Sequence, residues 1–149
     1  MSTQGYLIAL CGGPIAWKST KQKTVTTSTT EAELLALSYV GKEVQAITRL
    51  FLQMRFYIDE IPVINCDNQQ TVGLVNKEAP QLTTKLRHVD IHQFWLRQEV
   101  SEDRIKVNWV PTTAMPADGL TKPLSRQKHE DFVKQLGLVD ITKLLSGVE

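Results

Sequence analysis

The stretch STTEAELLALS, residues 28–38, decides the fold, because it contains two overlapping signals for the start of a helix. Ser28 with Glu31, and Thr30 with Glu33, each match the S/T-x-x-E capping box, in which two side chains satisfy free amide groups at a helix N-terminus. Only one of these pairs can cap the helix. The sequence therefore predicts a helix that begins near residue 30 and leaves one glutamate free for another role.

The two glutamates lie on different faces of the predicted helix. Residues three and four apart share a face, so Glu33 lies with the apolar Leu37, Val40 and Val44, whereas Glu31 lies with Ser38, Lys42 and Gln45. A carboxylate that is turned toward a sheet needs a partner or a metal ion to offset its desolvation. We interpret Ser28 and Glu31 as the cap, with Glu31 in solvent and Glu33 over the sheet edge. Capping by Thr30 and Glu33 remains the alternative on spacing alone.

The rest of the sequence predicts one α+β domain, or a mixed-sheet α/β domain, over residues 1–149, with a tail at 139–149. Periodicity and turn residues indicate strands at GYLIAL, IAWKS and KTVTTS, the long helix to about Met54, a strand at IPVINC, a helix at NQQTVGLVNK, a helix at HVDIHQFWLRQEV, a strand at RIKVNWV and a helix at HEDFVKQLGL. Strands mixed with helices in this order are typical of a sheet flanked by helices.

Composition limits the partners and the compartment. The net charge is only +1, so a nucleic acid would have to be held by a local basic patch. Cys11 and Cys66 lie far apart and no leader precedes them, which favours an intracellular protein, cytoplasmic or nuclear. The most apolar stretch is interrupted by Gly12, Gly13 and Pro14, well short of the ~20 residues of a membrane helix. We therefore expect no membrane partner.

Two further acids lie where elements end. Asp67 follows the VINC strand, and groups at the carboxyl edge of a sheet commonly bind ligands; Asp118 lies in PADGL. Taken alone, Asp67 could simply cap the next helix, and Asp118 could serve an Asp-Gly turn or cap the last helix. Together with Glu33, they form the kind of oxygen ligand set that hard divalent cations require.

Histidines and tryptophans give weaker signals. His88 and His92 are four residues apart, but Val89 occupies the place where a zinc protease motif has glutamate, so zinc at these histidines is not expected. Each of Trp17, Trp95 and Trp109 lies in an apolar stripe, and we expect all three to pack in or near the core.

Five basic residues form a candidate surface for nucleic acid. Lysines near the predicted hairpin and basic residues before the third helix could contact phosphates, namely Lys18, Lys21, Lys23, Lys85 and Arg87. An ordinary solvated surface would use the same residue types, so this alternative stays open.

Several blocks of the sequence resemble a known family. STTEAELLALS, INCDNQQTVGLVN, TKLRHVDIHQFWLRQEV and WVPTTAMPADGLTKPL look like the successive blocks of the ribonuclease H domain of copia-type (Pseudoviridae) retrotransposon Pol polyproteins. GYLIALCGGPIAWKSTKQKTV resembles the hairpin that precedes the first helix of that family. The resemblance runs from about Gly5 to Leu138, with the blocks in order.

The resemblance implies a five-stranded mixed sheet and Mg²⁺- or Mn²⁺-dependent cleavage of the RNA strand of an RNA/DNA hybrid during reverse transcription. It implies Glu33, Asp67 and Asp118 as catalytic metal ligands, with two cations roughly 4 Å apart that activate water and stabilise the leaving oxygen. It also implies a partner in the reverse transcriptase region of the same polyprotein.

The sequence departs from the family at its first strand. In the family that strand carries the first catalytic aspartate, in a segment resembling S-D-A-D-W-A-G-D, whereas here Met1 is followed directly by the second strand and no acid precedes Glu31. Impaired cleavage is the resulting expectation, and a noncatalytic module that binds nucleic acid or a protein is the alternative. Unpaired strand edges would also favour self-association.

Overall fold

The computed structural model describes residues 3–21, 28–78, 80 and 87–142. In chain order these form β1 (Thr3–Leu10), β2 (Gly13–Lys21), α1 (Thr29–Gln53), β3 (Val63–Cys66), α2 (Gln69–Val75), α3 (Arg87–Ser101), β4 (Lys106–Trp109), short 3₁₀ helices at Thr112–Ala114 and Pro116–Leu120, and α4 (Arg126–Gln135). This order confirms the predicted mixed α/β class and is consistent with a ribonuclease H-like fold. The predicted strand KTVTTS falls almost entirely outside the described residues.

The strands form two separate two-stranded sheets. β1 and β2 are antiparallel, and their turn places Cys11 and Gly12 at φ angles of 51° and 81°, as a two-residue hairpin turn with left-handed central residues requires. β3 and β4 are parallel. Within the described ranges no hydrogen-bonded strand joins one sheet to the other.

Helix α1 begins as the first of the two capping signals predicts. Ser28 is the N-cap, and its hydroxyl accepts a hydrogen bond from the Glu31 amide at 3.1 Å. Thr30 lies inside the first turn, where its hydroxyl donates to the side chain of Gln70. The helix ends at Gln53, with Met54 as C-cap, so both predicted ends are confirmed. Over the described part of the chain, no helix combines the length and apolarity that a bilayer crossing needs.

The prediction that Glu31 faces solvent is wrong, since only 5% of Glu31 is exposed. The reason is that α3 covers the polar face of α1. Ser38 contacts His92 across this interface, and Gln45 donates to Glu99. The two contact pairs advance together along both helices, so α1 and α3 run parallel. The face assignment from the sequence is correct, but the face is buried by a helix.

The core lies between α1, α2, α3 and the β3–β4 sheet. Its buried apolar residues are Leu34, Leu37, Ile64, Cys66, Val72, Leu74, Val75, Val89, Leu96, Ile105 and Val107. Gly41 allows α1 and α3 to approach closely, because a Cβ atom there would lie 3.1 Å from the Trp95 ring.

Only one of the three tryptophans packs as expected. Trp95 packs against the core, but Trp17 is 63% exposed and Trp109 is 45% exposed. Trp17 lies on the hairpin, where much of the two-stranded β1–β2 sheet faces solvent. Trp109 is the last residue of β4, where the sheet ends. For these two residues the prediction is wrong, because apolar neighbours in sequence do not guarantee a covering layer.

A groove of about 950 Å³ separates the two sheets. We call it the inter-sheet groove. Helix α1 contacts both β1 and β3 and supplies its floor. Seven residues of β1 and all four of β3 line its sides, and residues 114–118 line one end. The groove therefore lies between strand edges that have no partner among the described residues.

Candidate metal centre

Three potential ligands converge at one end of the inter-sheet groove. The carboxylates of Glu33 and Asp67 and the thiol of Cys66 each offer a ligand atom, and these atoms all lie within 4.8 Å of one another. Glu33 comes from the first turns of α1, whereas Cys66 and Asp67 come from the carboxyl end of β3. The Ser28 cap and the packing of α1 against β3 thus bring together residues more than thirty positions apart.

Asp67 is not needed as a helix cap. The N-cap of α2 is Asn68, whose side-chain oxygen accepts a hydrogen bond from the Thr71 amide at 3.0 Å. The carboxylate of Asp67 instead accepts a hydrogen bond from the Thr112 hydroxyl at 2.9 Å. The indole N–H of Trp109 donates to the Asp67 carbonyl at 3.1 Å. These contacts, from the last residue of β4 and from the 3₁₀ helix that follows it, fix the backbone and one carboxylate oxygen of Asp67.

Burial and like charge make the site unfavourable for free anions. Burial raises the pKa of Glu33, and the nearby negative charge of Asp67 raises this pKa further. Burial also raises the pKa of the Cys66 thiol to about 11, with Glu33 and Asp67 as further causes. A bound cation would relieve this repulsion, because it favours the ionised form of each ligand.

Two carboxylates at this separation fit a divalent cation. Mg²⁺ is usually bound through one or two carboxylates and keeps several water molecules. Glu33 and Asp67 provide that number of carboxylates, and both border the open groove. The two carboxylates therefore fit Mg²⁺, the cation that the resemblance to the family implies.

Asp118 borders the same groove but is not part of the cluster. Its carboxylate forms an ion pair with Lys122 at 2.8 Å and accepts a hydrogen bond from the Thr121 hydroxyl at 3.3 Å. Asp118 does not cap α4, whose N-cap is Ser125. The structure thus brings together two of the three predicted acids and places the third nearby, with Lys122 as its counterion.

Three of the five basic residues of the predicted nucleic-acid surface lie within the described residues, two on β2 and one on α3. Lys18 donates to the Tyr39 hydroxyl and lies over the Tyr39 ring, and this hydrogen bond is the largest cause of its raised pKa. Lys21 is exposed at the end of β2, and Arg87 is exposed at the start of α3. Lys23 and Lys85 lie outside the described residues.

His92, one of the two histidines that the sequence places four residues apart, lies at the interface of α1 and α3. The Nδ1 atom of His92 lies 2.8 Å from the buried Ser38 hydroxyl. Among the residues the structure describes, the one candidate metal cluster contains no histidine. His92 therefore joins α1 to α3.

Sequence reasoning missed two residues of the site, Cys66 and Thr112. Side chains alternate along a strand, which would place Cys66 opposite Asp67. The strand ends at Cys66, so the alternation does not extend to Asp67. The sequence could have indicated Cys66 as a ligand, because its thiol directly precedes the predicted ligand Asp67. Nothing in the sequence indicated the contact of Thr112, because it joins residues 45 positions apart.

Comparison with curated proteins finds relatives over nearly the whole chain. The chain is 33% identical over 148 residues to the retrovirus-related Pol polyprotein from transposon RE2 of Arabidopsis thaliana, which covers 99% of this chain and 10% of that protein. It is 37% identical over 137 residues to the corresponding polyprotein from transposon TNT 1-94 of Nicotiana tabacum, covering 92% and 10%. A third relative, the Ty1-NL2 Gag-Pol polyprotein of Saccharomyces cerevisiae, is 30% identical over 123 residues, covering 80% and 7%.

These relatives are far longer than the chain, which spans about a tenth or less of their length. No protein-family model matches the sequence. No solved structure matches it either. Over nearly its whole length, the chain is thus homologous to one segment of copia-type retrotransposon Pol polyproteins.

Proposed function

We propose that the chain is a ribonuclease H-like domain that cleaves the RNA strand of RNA/DNA hybrids with Mg²⁺ or Mn²⁺, once a further strand completes its sheet. The observation that carries the proposal is the convergence of Glu33 and Asp67 within 4.8 Å at one end of the inter-sheet groove. The identity of 33–37% to retrovirus-related Pol polyproteins from transposons is consistent with the proposal.

The roles of the residues follow from their positions. Glu33 and Asp67 hold the cation, and Thr112 and Trp109 hold Asp67 in place. A cation bound there supplies activation of water and stabilisation of the leaving oxygen. Asp118 can bind the cation only if its ion pair with Lys122 breaks. This ion pair is weak because both side chains are partly exposed.

The dimensions of the inter-sheet groove suit one strand. From Thr29 to Phe51, the first and last residues of α1 that line it, the helix rises about 33 Å. A strand of eight residues, the length of β1, spans about 26 Å. An extended segment in the groove would pair with the free edges of β1 and β3 and complete a continuous sheet. We propose that this segment carries the aspartate that the family has in its first strand.

Exposed edges also favour association. Each unpaired backbone group that becomes buried without a partner costs roughly 1–3 kcal/mol, so the groove favours pairing with another chain when no segment fills it. We propose the reverse transcriptase region of the same polyprotein as the natural neighbour, with self-association as the alternative. Lys21 and Arg87, both exposed, are proposed contacts for hybrid phosphates.

The test is cleavage of a labelled RNA/DNA hybrid in Mg²⁺ by three proteins. The first is the chain itself, the second carries an added N-terminal strand with the aspartate, and the third carries the same strand with asparagine. We expect slow or no cleavage by the first, restored cleavage by the second, and restored folding without cleavage by the third. Equal cleavage by the first and the second would contradict the role of the added strand.

A second candidate is a noncatalytic module that binds nucleic acid or a protein. The ion pair of Asp118 with Lys122 favours it, because it leaves two acids rather than three in the cluster. Hybrid binding without cleavage by the strand-completed protein would select this candidate. Cleavage that is lost in Glu33→Gln or Asp67→Asn would exclude it.

A further inference from the structure

The thiol of Cys66 is out of place in a site for a hard cation. Mg²⁺ selects oxygen ligands, whereas thiolates select softer ions such as Zn²⁺. Yet the Cys66 sulfur belongs to the same 4.8 Å cluster as the two carboxylates. The cluster therefore contains a ligand that the proposed cleavage does not use.

The surroundings of the Cys66 sulfur leave it able to bind a metal ion. Only 6% of Cys66 is exposed, and the hydrogen bond that its thiol donates to the Asn68 carbonyl is long at 3.9 Å. The residue borders the inter-sheet groove together with Glu33 and Asp67. A nearly buried, weakly held thiol is thus placed at the site where an ion would enter.

We propose that Glu33, Cys66 and Asp67 bind one thiophilic divalent cation, with Zn²⁺ as the natural ion, and that this ion excludes Mg²⁺ from the site. Binding of the thiophilic ion is independent of nuclease activity; its inhibitory effect rests on the proposed function. Three protein ligands and one open position are a common arrangement for accessible zinc sites.

Modest side-chain movement brings the three ligand atoms to bonding distance. Zn–S and Zn–O bonds of about 2.3 Å and 2.0–2.2 Å at tetrahedral angles place the ligand atoms about 3.6 Å apart. The ligand atoms now lie within 4.8 Å of one another. Glu33 has the longest and most flexible of the three side chains, so its rotation can shorten the distances from its carboxylate to Cys66 and Asp67.

Cd²⁺ is a suitable probe, because a Cd–S bond gives a charge-transfer band in the ultraviolet. The protein would be reduced, stripped of metal and titrated with Cd²⁺. Cys11 is exposed on the hairpin turn, so Cys11→Ser is the matched control. We expect a band that saturates at one Cd²⁺ per chain, persists in Cys11→Ser and disappears in Cys66→Ser. A band that disappears in Cys11→Ser instead would overturn the proposal.

A second variant keeps the thiol and tests the carboxylate. In the Cys11→Ser background, Glu33→Gln should lower the Cd²⁺ affinity by roughly tenfold or more, the loss seen when even outer-shell partners of a metal are removed. Unchanged affinity would show that Cys66 binds Cd²⁺ alone and would refute the three-ligand site. This measurement stays decisive if Cys66→Ser fails to fold.

Mn²⁺ separates this inference from the proposed function. Cys66→Ser should keep Mn²⁺ binding through the two carboxylates while losing Cd²⁺. If the unaltered chain binds Cd²⁺ as described but cleaves no hybrid after strand completion, the thiophilic site stands and the nuclease proposal fails. If strand-completed protein cleaves the hybrid but shows no Cd–S band, the nuclease proposal stands and the thiophilic site is refuted.

Discussion

Removal of the charge of Glu33 should stabilise the metal-free protein at neutral pH. Most substitutions at partly buried positions destabilise a fold, so a gain in stability is a discriminating result. The reason for the gain is that Glu33 and Asp67 are held close together as two carboxylates. Glu33→Gln keeps the size of the side chain and removes one of the two charges.

The size of the effect follows from the geometry. At 4.8 Å, the upper limit for the separation of any two ligand atoms in the cluster, two unit charges repel each other by about 1 kcal/mol in bulk water and by about 3 kcal/mol at an effective dielectric constant of 20. Because Glu33 is partly exposed, the gain in the free energy of unfolding should lie between these limits. Asp67→Asn should give a similar gain. The double variant should gain less than the sum, since the same repulsion is removed only once.

The pH dependence has a definite sign. The pKa of Glu33 in the folded protein is raised above its ordinary value of 4.5. Below pH 4.5 the group is protonated in both folded and unfolded states, so the variant and the parent should have similar stability. As the pH rises through the raised pKa, the parent loses stability because the folded state disfavours the ionised form. The gain in the free energy of unfolding from Glu33→Gln should therefore grow as the pH rises from 4.5 to the raised pKa of Glu33, and it should be constant at higher pH.

The assay is urea unfolding in the presence of a chelator at several pH values, followed by circular dichroism. Glu130→Gln is the control, because Glu130 is exposed on α4 and forms an ion pair with Arg126, away from the cluster. A loss of stability in Glu33→Gln at neutral pH, or a gain that does not change with pH, would refute the repulsion between Glu33 and Asp67.

Two further predictions concern packing. Gly119→Ala should destabilise the fold by about 1–3 kcal/mol in thermal or urea unfolding, because its Cβ would lie 2.5 Å from the Phe132 ring; Gly13→Ala, whose Cβ meets no atom closer than 3.9 Å, is the control and should change little. Ser38→Ala should cost about 1 kcal/mol, because it removes a buried hydroxyl that bonds to His92 at the interface of α1 and α3; unchanged unfolding would show that this contact does not hold the two helices.

Local signals in the sequence were sufficient to locate α1. A hydroxyl at Ser28 caps its first turn, and the apolar period ends with the helix at Gln53. The same period placed Glu33 on the face that now lines the groove beside Leu37. These features depend on residues within a few helical turns of one another, so they can be predicted from the sequence alone.

Features that depend on distant packing could not be recovered in this way. Glu31 is buried because α3 covers its face of α1, and the sequence does not state which helices pack together. Trp17 is exposed because the hairpin has a face without a covering layer. Thr112 reaches Asp67 only because β4 pairs with β3. Each of these outcomes depends on contacts between elements that are remote in the chain.

The most direct test of the central account is Mn²⁺ binding by isothermal titration calorimetry. The account predicts one Mn²⁺ per metal-free chain, loss of this binding in Glu33→Gln and in Asp67→Asn, and no loss in Glu130→Gln. Mn²⁺ binding that survives in both Glu33→Gln and Asp67→Asn would contradict the assignment of these carboxylates as the metal centre.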